Sequence, residues 1–131
     1  MQHRSKIIKT LLTASSDALK RAIAPYSGFH VGAALLTDDG LVFTGCNIEN
    51  PSLMMSICAE KVAIVKALSE GQKKIKAIMI QSADGNYCPP CGSCRQLIHE
   101  FAPEAEIYLA SKKGIKKYSI KELLPDAFTK E

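Results

Sequence analysis

The chain of 131 residues has no tryptophan, only four phenylalanines and four tyrosines, and a small surplus of positive charge, 17 basic against 13 acidic residues. A nucleic-acid-binding surface draws on a larger surplus with aromatic residues interleaved. Here the excess sits in two short runs, Lys73-Lys74-Ile75-Lys76 and Lys112-Lys113-Gly114-Ile115-Lys116-Lys117, which read as solvated turns. No nucleic-acid partner is expected. Long apolar runs are also lacking: the best stretches, Val31–Leu36 and Val62–Val65, fall far short of the roughly 18 residues of a membrane span. The basic opening Met1-Gln2-His3-Arg4-Ser5-Lys6 leads into a segment broken by Lys9 and carrying Asp17, Lys20 and Arg21. That pattern is an amphipathic helix and not a secretion leader, so a cytoplasmic protein is expected. Cysteines number five, odd and too few for a disulfide scaffold.

What is present is a core. With 47% apolar and 23% charged residues, the composition suits one compact domain over residues 1–131. Residues 5–23 place Ile8, Leu11, Leu12, Leu19, Ala22 and Ile23 on one helical stripe that Pro25 ends. Val31–Thr37 and Leu41–Glu49 read as strands around the turn signal Asp38-Asp39-Gly40. Residues 50–57 read as a loop, of which 51–57 are unusually apolar, with burial at a subunit interface as the expectation. A helix over Ala59–Glu70 turns Val62, Val65 and Leu68 inward and stops at Gly71. Ile75–Ser82 reads as a buried strand, 83–90 as a loop, Gly92–Phe101 as a helix and Glu106–Ala110 as a strand. A turn at Lys113-Gly114 and a short helix over Ser119–Leu124 follow. Strands joined through helices favour parallel pairing, so the fold class is α/β: a three-layer α-β-α domain with a mixed five-stranded sheet.

Chemistry concentrates in Cys88-Pro89-Pro90-Cys91-Gly92-Ser93-Cys94. Cys91 and Cys94, three apart, lie about 60° from each other on a helix and can grip one metal from its first turn. Helix N-termini favour the thiolate that zinc requires. Zinc needs at least a third ligand, and Cys58 is the natural one because it also opens a helix. Glu60 lies about 200° from Cys58 around an ideal helix, so both address one ion only if the site sits beyond the helix end. Three thiolates would leave the fourth zinc position open beside a carboxylate, the layout of a catalytic site. Two rival readings stand. Cys88-Pro89-Pro90-Cys91 resembles a redox pair, which leaves Cys58-Ala59-Glu60 unexplained; a structural zinc site needs a fourth ligand, Cys88 or Cys46.

Cys58-Ala59-Glu60 with Pro90-Cys91-Gly92-Ser93-Cys94-Arg95 resembles the zinc-dependent cytidine deaminases. The segments 29–36, 45–50 and 122–128 are similar to the small nucleoside deaminases of that family, in the same order. The resemblance implies one zinc per subunit on Cys58, Cys91 and Cys94, and hydrolysis of cytidine and deoxycytidine by zinc-bound hydroxide at C4, with Glu60 as the proton shuttle. It further implies Asn47 and Glu49 on the sugar hydroxyls, Phe29 against the base, the backbone of Ala59 and Cys91 at the base edge, and Phe128 supplied by a neighbouring subunit. A homotetramer with shared sites and a role in pyrimidine salvage follow from the same resemblance, with another cytosine-bearing nucleoside or nucleoside antibiotic as the alternative substrate. The family commonly has Arg where this chain has Lys61, and many members have an aromatic residue where it has Leu53. Compensation of the thiolate charge therefore falls to Lys61, Arg95 or both.

Overall fold

The computed structural model describes residues 2–129, the side chains of Gln2 and His3 excepted; Met1, Lys130 and Glu131 of the expected domain lie outside the described residues. The elements run α1 (Gln2–Leu19), β1 (Val31–Thr37), β2 (Val42–Cys46), a 3-10 turn (Leu53–Met55), α2 (Ala59–Ser69), β3 (Ile75–Ser82), α3 (Gly92–Phe101), β4 (Glu106–Ser111), β5 (Gly114–Tyr118) and α4 (Ile120–Leu123). They build one five-stranded sheet in the order β2-β1-β3-β4-β5. The pair β3–β4 is parallel, as its crossover through α3 requires, and every other neighbouring pair is antiparallel. No helix among the described residues is long and apolar enough to cross a membrane.

Successive strand residues face opposite ways, so the buried runs of β1, β3 and β4 feed two separate cores. Ala33, Leu35, Ile78, Ile80, Ile107 and Leu109 meet Ala63, Ile64 and Ala67 of α2, Ile98 of α3 and Ile120 of α4. Ala34, Ala77, Met79, Tyr108 and Ala110 meet Ile7 and Leu11 of α1. The result is the three-layer mixed sheet read from the sequence.

Four expectations need correction. The buried face of α1 runs through Ile7, Leu11, Ser15 and Ala18, whereas Leu12 and Ile23 are exposed. Ser15 is admitted because its hydroxyl donates to the Leu11 carbonyl (2.7 Å) and accepts from Gln81 Nε2 (2.7 Å). Secondly, α1 stops at Leu19, four residues early, because the Ile23 N–H donates to the Asn47 carbonyl (3.0 Å) and joins a β-bridge with Ile48. Thirdly, β2 ends at Cys46; beyond it the extended chain continues only as bridges from Ile48 to Ile23 and Ile57.

The fourth concerns α2, which turns Ala59, Glu60, Ala63, Ile64 and Ala67 inward, with Val65 exposed. Close packing explains this: a Cβ at Gly45 of β2 would lie 2.3 Å from the Ala59 carbonyl oxygen and 2.7 Å from the Ala63 nitrogen. Only a glycine facing alanines lets the helix start sit this near the sheet. The other end of α2 closes as read, with Gly71 at φ +87° and its N–H donating to Leu68 (3.0 Å) while Gln72 N–H reaches Ala67 (3.0 Å).

Candidate metal centre and active site

Cys58 and Cys91 occupy equivalent places, each the extended residue preceding a helix: Cys58 (φ −73°, ψ 151°) before α2 and Cys91 (φ −67°, ψ 167°) before α3. A side chain at this position folds back over the third residue of its helix. For α3 that residue is Cys94, so the Cys-x-x-Cys spacing pairs an extended residue ahead of the helix with the helix's third residue, and neither Cys91 nor Cys58 makes a side-chain capping hydrogen bond. The same extended conformation frees Cys58 from the helical angle that would set it opposite Glu60.

The two helix starts bring the three sulfurs together. Cys58 Sγ and Cys91 Sγ are 3.6 Å apart, and all three Sγ atoms lie within 4.8 Å of one another. A tetrahedral zinc with Zn–S of about 2.3 Å spaces its sulfurs about 3.8 Å apart, so the cluster fits that ion. Cys91 is exposed, Cys58 half-buried and Cys94 buried, which opens the group to solvent on one side. Among the described residues neither Cys46 nor Cys88 joins this cluster, which removes the fourth protein ligand that a structural site needs. Cys88 instead packs against the core, and burial pushes its thiol up to about 11.

The thiols polarise one another. A hydrogen bond from Cys94 brings Cys58 down to about 6, opposed by burial and helped by Cys91 and the Lys61 charge. The same bond to Cys58, with burial, raises Cys94 above the usual thiol range. Glu60 is 4% exposed, and burial pushes its carboxyl up to about 7; its own N–H opposes the rise and the Cys58 charge adds to it. A carboxyl near neutrality can both take and give a proton at working pH.

The two cations expected at the thiolates have different jobs. Arg95 Nε donates to the Pro90 carbonyl (2.8 Å) and Nη1 to the Leu123 carbonyl (2.6 Å), so the fork clamps the Cys91 loop to the end of α4. Lys61 is exposed, and its charge acts on Cys58. In the zinc-free protein, Lys61→Gln should therefore raise the Cys58 thiol pKa, and Arg95→Gln should leave it in place while lowering the melting temperature. Thiolate absorbance followed against pH reads the first, and a thermal melt reads the second. A Cys58 shift in Arg95→Gln as large as that in Lys61→Gln would return charge compensation to Arg95.

Phe29, Asn47 and Glu49 form a second group. Asn47 Nδ2 donates to the Phe29 carbonyl (2.7 Å), and its Oδ1 accepts from Val31 N–H (2.9 Å). Glu49 Oε1 accepts from the N–H groups of Tyr26 (3.0 Å) and Ser27 (3.1 Å), and Oε2 from the Ser27 hydroxyl. These bonds, that of the Ser27 hydroxyl foremost, hold the Glu49 carboxyl below its ordinary range. The Phe29 ring is left exposed. No sequence signal singles out Ser27: a serine in a turn between two elements carries none until the fold sets it against Glu49.

Ala59, the first residue of α2, is fully buried between Cys58 and Glu60. Phe128 does not enter this chain's core: it is 76% exposed on the outer side of α3, where Gln96 Nε2 donates to its carbonyl (2.8 Å). It lines a shallow groove there with Lys61 and Ser93. The 83–90 loop is held from the β4–β5 hairpin by Lys112 N–H donating to Gly85 (2.8 Å) and by Lys116 Nζ, 4.3 Å from the Tyr87 ring centre.

Comparison with known proteins places the chain in one family, whose relatives include a blasticidin-S deaminase of Bacillus cereus, 33% identical over 109 residues, 77% of this chain and 78% of that protein. The family described as the cytidine and deoxycytidylate deaminase zinc-binding region matches residues 5–110. The chain is similar to a cytidine deaminase of Sporosarcina psychrophila, 43% identical over 126 residues, 95% of this chain and 93% of that protein. It is similar to one of Halalkalibacterium halodurans, 44% identical over 123 residues, 92% of this chain and 93% of the relative. Among solved structures, the cytidine deaminase of Burkholderia pseudomallei superposes with a TM-score of 0.87 at 41% identity, covering 92% of this chain and 98% of that one.

Proposed function

The chain belongs to the zinc-binding cytidine and deoxycytidylate deaminase family, and from that premise we propose that it converts cytidine and deoxycytidine to uridine and deoxyuridine with release of ammonia. It is a zinc-dependent hydrolytic deaminase. The observation that carries the reading is the convergence of three sulfurs at two helix starts with the buried Glu60 beside them. Cys58, Cys91 and Cys94 hold the ion, which when bound supplies Lewis-acid activation of water.

The remaining steps belong to this chain's own side chains. Glu60 takes the proton of the attacking water and places it on N3 of cytosine, which makes C4 electrophilic. It carries a second proton to the exocyclic nitrogen as ammonia departs. Burial suits Glu60 to this shuttle, because a carboxyl held near neutrality loses little in either transfer. Asn47 and Glu49 take the sugar hydroxyls, Phe29 packs on the base, and the backbone of Ala59 and Cys91 meets the base edge. Lys61 offsets the net negative charge of zinc on three thiolates.

The chain forms one catalytic domain, works in the cytoplasm in pyrimidine salvage, and assembles as a homotetramer with shared sites. The 3-10 turn favours assembly: Leu53, Met54 and Met55 are 75%, 97% and 65% exposed on the single chain, too apolar a surface to stay in water. Phe128, equally exposed, is then free to reach the site of a neighbour. A monomer by light scattering at working concentration would count against the tetramer.

Ammonia release from cytidine by the zinc-loaded protein tests the substrate. Turnover of cytidine and deoxycytidine is the expected result. A folded protein that holds one zinc and releases no ammonia from either would move the substrate to another cytosine-bearing nucleoside, with Leu53 as the first position to examine.

A further inference from the structure

Ser27 sits in the sharp loop between α1 and β1, where Gly28 at φ +68° donates its N–H to the Ala24 carbonyl (2.9 Å). Its hydroxyl oxygen accepts the Phe29 N–H (3.0 Å), which leaves the hydroxyl proton to point at Glu49 Oε2. Glu49 Oε1 is already taken twice, by the N–H groups of Tyr26 and Ser27. A carboxylate offers about four lone-pair sites, so three are filled and one remains, on Oε2. The backbone beneath is fixed as well, by Glu49 N–H on the Ile23 carbonyl (2.8 Å) and Ile23 N–H on the Asn47 carbonyl (3.0 Å).

We propose that Ser27 is a positioning residue: through its hydroxyl it locks the Glu49 carboxylate so that a single acceptor site on Oε2 is presented to a sugar hydroxyl of the nucleoside. The proposal rests on the reading that Glu49 binds the sugar. A carboxylate at the surface otherwise rotates freely and satisfies itself with water. Held by three donors, it meets the sugar without that ordering cost, which places the effect of Ser27 on binding and not on the proton transfers.

The test is steady-state kinetics of the zinc-loaded enzyme and of Ser27→Ala, with cytidine as substrate and 2′,3′-dideoxycytidine as competitor. Having to order one freed side chain on binding predicts a cytidine KM about fivefold higher. The kcat should stay within about twofold, since only ground-state binding is touched. The ring hydroxyls at 2′ and 3′ are the ones this lock serves. The inhibition constant of the dideoxy compound, which lacks both and keeps only the 5′-hydroxyl, should therefore not move, and Ser27→Thr should restore the cytidine KM. Equal weakening of both compounds would make Ser27 a structural residue of the loop and overturn the proposal; so would an unchanged cytidine KM. Glu49→Gln separates the two failures. If it raises the cytidine KM and Ser27→Ala does not, only the proposal falls. If it leaves the preference for cytidine over the dideoxy compound intact, the sugar reading of Glu49 falls and takes the proposal with it.

Discussion

Replacing Glu60 by Gln should lower kcat for cytidine by about 10⁴-fold, the upper end of what one general acid–base group contributes, because the same carboxyl serves two proton transfers. The amide keeps the shape and burial of the side chain but can neither take nor release a proton. Zinc should stay at one per chain, since the three sulfurs and both helix starts are untouched. Metal analysis beside the kinetic assay therefore separates lost chemistry from lost metal. The position also excludes a casual surface role: a carboxyl 4% exposed and pushed up to about 7 by burial is held there against its own solvation. Activity in Glu60→Gln within about tenfold of the parent would falsify the proton-shuttle assignment.

Cys94→Ala should be the most damaging change to the metal centre. Cys94 is the buried member of the trio, 1% exposed and third in α3, and its sulfur, like that of Cys91, hydrogen-bonds to Cys58. Without it two sulfurs remain, fewer than the three protein ligands of a catalytic zinc site. Zinc per chain should fall from one toward zero on dialysis, and activity should fall with it. Cys88→Ala is the matched control. That sulfur lies outside the cluster, so zinc content and turnover should hold. Retention of full zinc by Cys94→Ala, with loss of it in the double variant with Cys88, would instead make Cys88 a ligand.

Much of the fold was legible because its signals are local. Ile75–Ser82 and Gly92–Phe101 are found at the bounds read from the sequence, the first built around Ala77-Ile78-Met79-Ile80 and the second entered from two prolines. Gly71 marks its helix end because only a residue tolerant of positive φ closes that motif. Misreadings cluster where the partner decides. Spacing assigned Val65 to the core of α2, yet it is exposed, since the approach of the helix to Gly45 selects the alanine face. Apolarity placed Ile23 inside α1, yet a β-bridge to Ile48 claims it.

The site divides in the same way. By itself the sequence determined the donor set and the chemistry: three cysteines, a glutamate two residues after the first, and their order along the chain. Ligand type and spacing are properties of the chain, and zinc selects for them directly. Only the tertiary structure decided that the sulfurs of Cys58 and Cys91, each just ahead of a helix, come within 3.6 Å, that Arg95 holds carbonyls while the Lys61 charge acts on Cys58, and that Ser27 holds Glu49. Those facts depend on which distant segments the sheet order sets side by side. The sheet order is in turn fixed by the burial of two apolar faces at once, which no local window of sequence contains.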